Sequence, residues 1–162
     1  MNGTEYKGKN IVLASGSVSK TFGLPIEGRV LTSTEALEMD YLPNSAIVLG
    51  GGVIGCEFAS MWKAMGVDVT IIEGLPNLVP NEDPSIIKVL ERSFKKRGIK
   101  FNTGTLFEKV EQDANGAKVT LADGKVFEAD IVLVAVGRGP NTAGMGYEEQ
   151  GIPMDRGFVL AN

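Results

Sequence analysis

Ile47–Glu73, IVLGGGVIGCEFASMWKAMGVDVTIIE, decides how the rest of the chain is read. A short apolar run, Ala46–Leu49, leads directly into Gly50-Gly51-Gly52-Val53-Ile54-Gly55, which fits G-x-G-x-x-G with Gly50, Gly52 and Gly55 at the key positions. Alone the pattern says little, because a chain with 21 glycines produces it by chance. Its surroundings give it meaning. The spacing of Ile54, Phe58, Met61, Trp62 and Met65 predicts a helix over Val53–Met65, with Gly66 as its stop. A second β-branched run, Val69–Ile72, then ends on an acid, Glu73, about 20 residues after the first glycine.

Each part has a physical task. Gly50 permits a tight turn, Gly52 lets backbone approach a diphosphate with no Cβ in the way, and Gly55 lets the helix lie close to the strand. A helix N-terminus offers unpaired N–H groups and partial positive charge to that diphosphate. Glu73 can accept hydrogen bonds from both hydroxyls of an adenine ribose. A 2′-phosphate there would meet a carboxylate, and Gly74, Leu75, Pro76 and Asn77 supply no cation to receive it. The expected ligand is therefore NAD(H) in preference to NADP(H). Glu57, one turn into the helix, has two readings: an acid favoured near a helix N-terminus, or a carboxylate at the nicotinamide end of the ligand.

Working outward, Ile11–Ala14 and Ile131–Val136 are further continuous apolar runs and read as strands of a covered parallel sheet. Asp83–Arg97 reads as a helix: Asp83 caps it, Pro84 takes the first position, Ile86, Ile87, Leu90 and Phe94 form its stripe, and Lys95, Lys96 and Arg97 crowd its end. A short strand follows near Ile99–Asn102. Alternation around Asn115-Gly116 and Asp123-Gly124 then predicts an antiparallel meander. The fold class is α/β, a Rossmann-like parallel sheet flanked by helices with an inserted antiparallel β-meander, and one domain is expected over residues 1–162.

Composition narrows the chemistry. The net charge of −4 offers no basic field for nucleic acid, and no apolar run approaches a membrane span. The polar N-terminus does not resemble a signal peptide, and a lone cysteine suits a reducing compartment, so the expected location is cytoplasmic. With no histidine and one cysteine, Cys56, the chain has no histidine base, no zinc site of the usual ligands and no dithiol pair of its own. Cys56, Trp62 and the methionines are expected to be core residues.

Three segments together carry a family resemblance: VLASGSVSKTFGLPIEG (Val12–Gly28), the Ile47–Glu73 stretch, and ADIVLVAVGRGPNT (Ala129–Thr142). In order and spacing the chain resembles the flavin-dependent pyridine nucleotide–disulfide oxidoreductases, particularly their dihydrolipoamide dehydrogenase branch, along essentially its whole length. The resemblance implies that Gly50, Gly51, Gly52, Val53, Ile54, Gly55 and Glu57 line NAD(H), with Glu57 at the nicotinamide and paired with a lysine outside this chain. It further implies that Thr105 approaches the adenine through its backbone and Gly137 the nicotinamide side. Ser15, Gly16 and Ser17 would sit against FAD held by a neighbouring domain; Ser15 stands where the family usually has threonine.

Family members also carry an FAD domain, a C-x-x-x-x-C disulfide and an interface domain with a His-Glu pair. The chain therefore reads as an NAD-binding domain excised from a larger flavoenzyme, with Met1 an added start, and inactive alone. Its partners would be NAD(H), the FAD and interface domains of the parent, and dihydrolipoamide or another electron donor. The same domain of an NADH oxidase or ferredoxin reductase, or a stand-alone NAD-binding module, are the competing readings.

Overall fold

The computed structural model describes residues 4–161, so Met1–Gly3 and Asn162, the ends of the expected domain, lie outside the described residues. In chain order the elements are β1 (Ser17–Ser19), β2 (Val30–Leu31), α1 (Ser33–Leu37), β3 (Ser45–Leu49), α2 (Val53–Ala64), β4 (Asp68–Glu73), α3 (Pro84–Lys96), β5 (Lys100–Thr103), β6 (Phe107–Gln112), β7 (Ala117–Leu121), β8 (Val126–Ala129), β9 (Ile131–Val134), β10 (Arg138–Pro140), β11 (Met154–Asp155) and β12 (Phe158–Val159). They fall into two compact units, residues 19–137 and residues 1–18 with 138–162.

The larger unit is built on a five-stranded parallel sheet in the order β2-β9-β3-β4-β5. Its central strands are apolar on both faces because both faces are covered. Alternate residues divide between two cores. Ala46 and Val48, Val69 and Ile71, and Ile131 and Leu133 point into one core with Phe58, Trp62, Ile87 and Phe94 of the helices. Ile47 and Leu49, Ile72, and Val132 and Val134 point into the other with Ala117, Val119 and Leu121 of the meander. The meander β6-β7-β8 is antiparallel and thus forms the third layer of this unit. The α/β class and the inserted meander are as expected. Arg29 pins the meander to the sheet: its guanidinium donates to the carbonyls of Asp113, Ala114 and Asp130 at 2.5–3.0 Å.

Both long helices stand where their signals put them. Asp83 caps α3 by accepting from the Ser85 N–H at 2.8 Å, with Pro84 at the first position. Two elements lacked a sequence signal of useful length. β2 has two residues, and α1 has five, although its capping box, Thr32 with Glu35, is plain in the sequence.

Three expectations are corrected. Ile11–Ala14 is no buried strand: Ile11 is 71% and Val12 87% exposed, and neither belongs to a strand. In α2 the covered face runs through Cys56, Phe58, Ala59 and Trp62, whereas Met61, at the edge of that face, and Met65, past the last helical residue Ala64, are exposed. In α3 Ile87 and Phe94 are buried while Ile86 is 56% exposed, because the face that meets the core runs through Ile87, Leu90 and Phe94 and Ile86 is turned about 100° away from Ile87.

The smaller unit pairs β1 with β10 and closes a hairpin from β11 and β12. Its polar contacts converge on Ser15, Gly16 and Ser17. Asn141 donates to the Ser15 and Gly16 carbonyls at 3.1 and 3.0 Å, the Tyr147 hydroxyl lies 3.1 Å from Ser15 Oγ, and Arg138 donates to Ser17 Oγ at 2.7 Å.

Candidate nucleotide-binding site

β3 ends at Leu49 and α2 begins at Val53, so only Gly50, Gly51 and Gly52 make the turn at the C-terminal end of the sheet. Ligands of open α/β sheets bind at that end. The turn is folded so tightly that side chains are excluded. Gly50 has φ +103°, and a Cβ there would stand 2.3 Å from the Ala135 carbonyl oxygen of the neighbouring strand's extension. A Cβ on Gly55 would stand 2.0 Å from the Gly50 carbonyl oxygen, so the helix rests directly on the turn. Gly52 differs from both. It caps α2 with ordinary extended backbone, φ −71° and ψ −174°, and a Cβ there would meet nothing within 4 Å. Its α-carbon faces open space.

Hydrogen bonding sharpens the picture. The first intrahelical bond runs from Cys56 N–H to the Gly52 carbonyl at 3.0 Å, and Gly52 supplies no side-chain cap. The N–H groups of Gly52, Val53, Ile54 and Gly55 therefore find no acceptor among the described residues. They form a rim of free donors of the kind that suits an anion, and Gly52 leaves room beside it.

Glu73, the last residue of β4, lies beside this turn. Its carboxylate accepts from the Gly51 N–H at 2.6 Å through Oε2 and from the Leu75 N–H at 2.7 Å through Oε1. Each oxygen retains a lone pair for a further donor, as two vicinal hydroxyls would require. Thr105 approaches from the next loop: its N–H donates to the Glu73 carbonyl at 3.4 Å, and Gly104 N–H donates to the Leu75 carbonyl at 2.8 Å. The loops after β4 and β5 are thus tied together around the acid. Among the described residues of this unit, Gly50–Gly55, Glu73 and Thr105 come together; Glu57 is exposed on α2, and its side chain has no hydrogen-bond or ion-pair partner among the described residues. Gly137 is exposed at φ +112° just beyond β9, its carbonyl accepting from Lys20 N–H at 2.9 Å. Ser15, Gly16 and Ser17 belong to the other unit, where their polar groups are engaged as described.

Cys56 behaves as a core residue. It is 6% exposed, its thiol donates to the Gly51 carbonyl at 3.3 Å, and burial together with the nearby Glu73 charge pushes its pKa up to about 11. A thiol held that firmly in its protonated form is a poor nucleophile. No group of histidine, cysteine or carboxylate side chains among the described residues could hold a metal ion, and no described helix is long and apolar enough to cross a membrane.

A cleft of about 690 Å³ opens elsewhere, between the meander and the start of β3, lined by Ser45, Asp113, Lys118, Glu128 and Asp130 among others. It lies at the N-terminal end of β3, opposite the glycine turn, and its carboxylates disfavour a diphosphate. The glycine turn is the better candidate for a nucleotide. Two residues that sequence reasoning missed belong to it, Leu78 and Val79. Both are buried beneath the turn, and their only signal was an apolar pair inside the polar loop GLPNLVPNED.

Comparison with known proteins agrees with this geometry. The profile of the family described as pyridine nucleotide-disulphide oxidoreductase matches residues 1–162. Dihydrolipoamide dehydrogenase of Chaetomium thermophilum is 42% identical over 97% of this chain and 33% of its own length. Dihydrolipoyl dehydrogenase of Chlamydia pneumoniae is 39% identical over 96% of the chain and 34% of its own length. The crystal structure of LpdA from Mycobacterium tuberculosis superposes with a TM-score of 0.80 at 34% identity, covering 88% of this chain and 32% of that one. The chain thus spans about a third of the length of the curated relatives it matches. A match along the whole chain, joined to a glycine turn of this construction, identifies it as a member of the pyridine nucleotide-disulphide oxidoreductase family.

Proposed function

We propose that this chain is the NAD(H)-binding domain of a dihydrolipoamide dehydrogenase-like flavoprotein. The observation that carries the reading is the pairing of an open, unhindered Gly52 with four unaccepted N–H groups and an acid within hydrogen-bond reach of the same turn. The diphosphate lies on the N–H groups of Gly52 to Gly55, and the adenine ribose hydroxyls donate to Glu73. Thr105 borders the adenine through its backbone. Val53, Ile54, Glu57 and Gly137 lie toward the nicotinamide, where Glu57 is free to receive a cation from another part of the parent protein.

A bound nicotinamide supplies hydride chemistry; the residues of this chain bind it and hold it in place. For FAD the fit is narrower. Ser15, Gly16 and Ser17 have their polar groups engaged within their own unit and form no cradle, so they offer at most an edge contact to a flavin held by the parent's other domains. The parent's reaction with dihydrolipoamide, and its cytoplasmic location, belong to the same proposal. The relatives' names support the reaction, and the single free cysteine suits a reducing compartment.

Calorimetry with NADH and NADPH tests the reading. We expect NADH to bind the 162-residue chain more tightly, and equal affinities would refute the role of Glu73. The purified chain should be colourless and without lipoamide activity. Tightly bound yellow flavin would favour a different organisation.

A further inference from the structure

We propose that Val79 is a positioning residue for the nucleotide site: its backbone N–H, delivered from a left-handed corner, turns the Gly51–Gly52 peptide so that the Gly52 N–H faces outward toward a diphosphate. This rests on the diphosphate reading given above, and it adds a residue outside the glycine motif.

Val79 is one of three described non-glycine residues with positive φ, at +40°, and it is 7% exposed. A β-branched side chain is the least suited to that conformation, and Pro80 after it favours extended backbone at position 79. Such a conformation persists only where the surroundings over-determine it. Here they do. Leu78, fully buried, donates its N–H to the Glu91 carboxylate at 3.1 Å, and its side chain fills the place a Cβ on Gly51 would take, 2.5 Å away. Glu82 N–H donates to the Val79 carbonyl at 3.0 Å and closes the corner.

The corner yields one bond toward the site: Val79 N–H donates to the Gly51 carbonyl at 2.7 Å. The Cys56 thiol reaches the same oxygen more weakly at 3.3 Å. On the preceding peptide, the Gly51 N–H is held by Glu73 at 2.6 Å. Gly51 is therefore gripped at both its N–H and its carbonyl. In a trans peptide the carbonyl and the N–H point in opposite directions, and no peptide bond here is cis. With the Gly51 carbonyl drawn inward onto Val79, the Gly52 N–H is driven outward, to the side where Gly52 meets nothing within 4 Å. Glycine peptides flip readily when nothing holds them. Val79 holds this one in the donor-out orientation before ligand arrives.

The test replaces the Val79 peptide nitrogen with an ester oxygen, which deletes the N–H and keeps the side chain, in the full 162-residue chain; Val79→Gly, which keeps the N–H and suits the positive φ, is the companion. Binding of ADP and of adenosine is measured for each. ADP affinity of the ester protein should fall about three- to tenfold, the worth of one hydrogen bond, with adenosine affinity unchanged and with Val79→Gly retaining the wild-type preference for ADP. The Gly52 amide resonance should shift in the ester protein and not in Val79→Gly. An ester protein that keeps its preference for ADP, or that loses ADP and adenosine alike, overturns the proposal. A wild-type chain with no preference for ADP over adenosine overturns the diphosphate reading itself, and this proposal with it.

Discussion

Gly52 and Gly55 stand three residues apart in one motif, yet alanine at each should act in opposite ways. At Gly55 the added methyl would sit 2.0 Å from the Gly50 carbonyl oxygen and 3.1 Å from a Val48 methyl. The first neighbour is backbone at the end of a central strand, so the helix must retreat by on the order of 1 Å and the turn must open. Alanine gains about 1 kcal/mol of helix propensity over glycine, which does not offset overpacking of this kind. A net loss of up to about 2 kcal/mol follows, seen as a fall of roughly 4–8 °C in Tm. At Gly52 the backbone already has dihedrals that any residue adopts, and the methyl meets nothing. Stability should change by less than about 1 kcal/mol, the difference between glycine and alanine at a helix cap. The methyl would stand instead where a diphosphate must approach the N–H rim. Losing one or two hydrogen bonds to a charged group costs about 1.5–3 kcal/mol each, so NADH affinity should fall at least tenfold. Thermal unfolding and calorimetry on both variants separate the two effects. Gly52→Ala binding NADH like wild type would refute the placement of the ligand, and Gly55→Ala melting like wild type would refute the packing argument.

Other consequences follow from the same contacts. Glu73→Gln removes the charge that repels a 2′-phosphate, worth about 1–4 kcal/mol at a few ångströms, so discrimination against NADPH should shrink. It also turns an amide NH₂ toward one of two backbone N–H donors, so calorimetry should show weaker NADH binding as well. Cys56 should resist alkylation at pH 8 while the chain is folded and react fully in urea, as mass spectrometry would show. Because its folded pKa is raised from 9.0 to about 11, it favours the fold at pH values below 9 and ceases to do so as pH climbs from 9 to 11; urea titrations of wild type and Cys56→Ala across that window should converge at the alkaline end. Arg29→Ala strips three backbone carbonyls of a donor and should lower stability by about 1–3 kcal/mol in urea unfolding, leaving NADH affinity unchanged because the contacts lie on the meander side.

How much of this was legible beforehand depended on how local each cause is. β3, α2 and β4 announce themselves because burial on both faces demands unbroken apolar runs and the intervening helix repeats every 3.6 residues. The Ile11–Ala14 run has the same texture, yet it is exposed. Apolar composition records that a segment suits burial, and whether anything covers it depends on residues far away in sequence. The exposure of Met61, Met65 and Ile86 has the same origin, since each helix meets the sheet along a line that spacing alone does not fix.

The sequence by itself determined the glycine turn, the acid that follows it and the strands around them, because steric exclusion of Cβ and the period of buried side chains are short-range constraints. Only tertiary structure decided what those residues grip. Gly51 is held by Glu73, which lies on the next strand, and by Val79, in the loop beyond it. The Gly50 turn is closed by Ala135, from a strand that follows the whole meander. Hydrogen bonds between residues so far apart have no local period to betray them, and the left-handed Val79 runs against its own local preference. Its conformation is imposed by the packing of Leu78 and the ladder around it, which only the folded chain assembles.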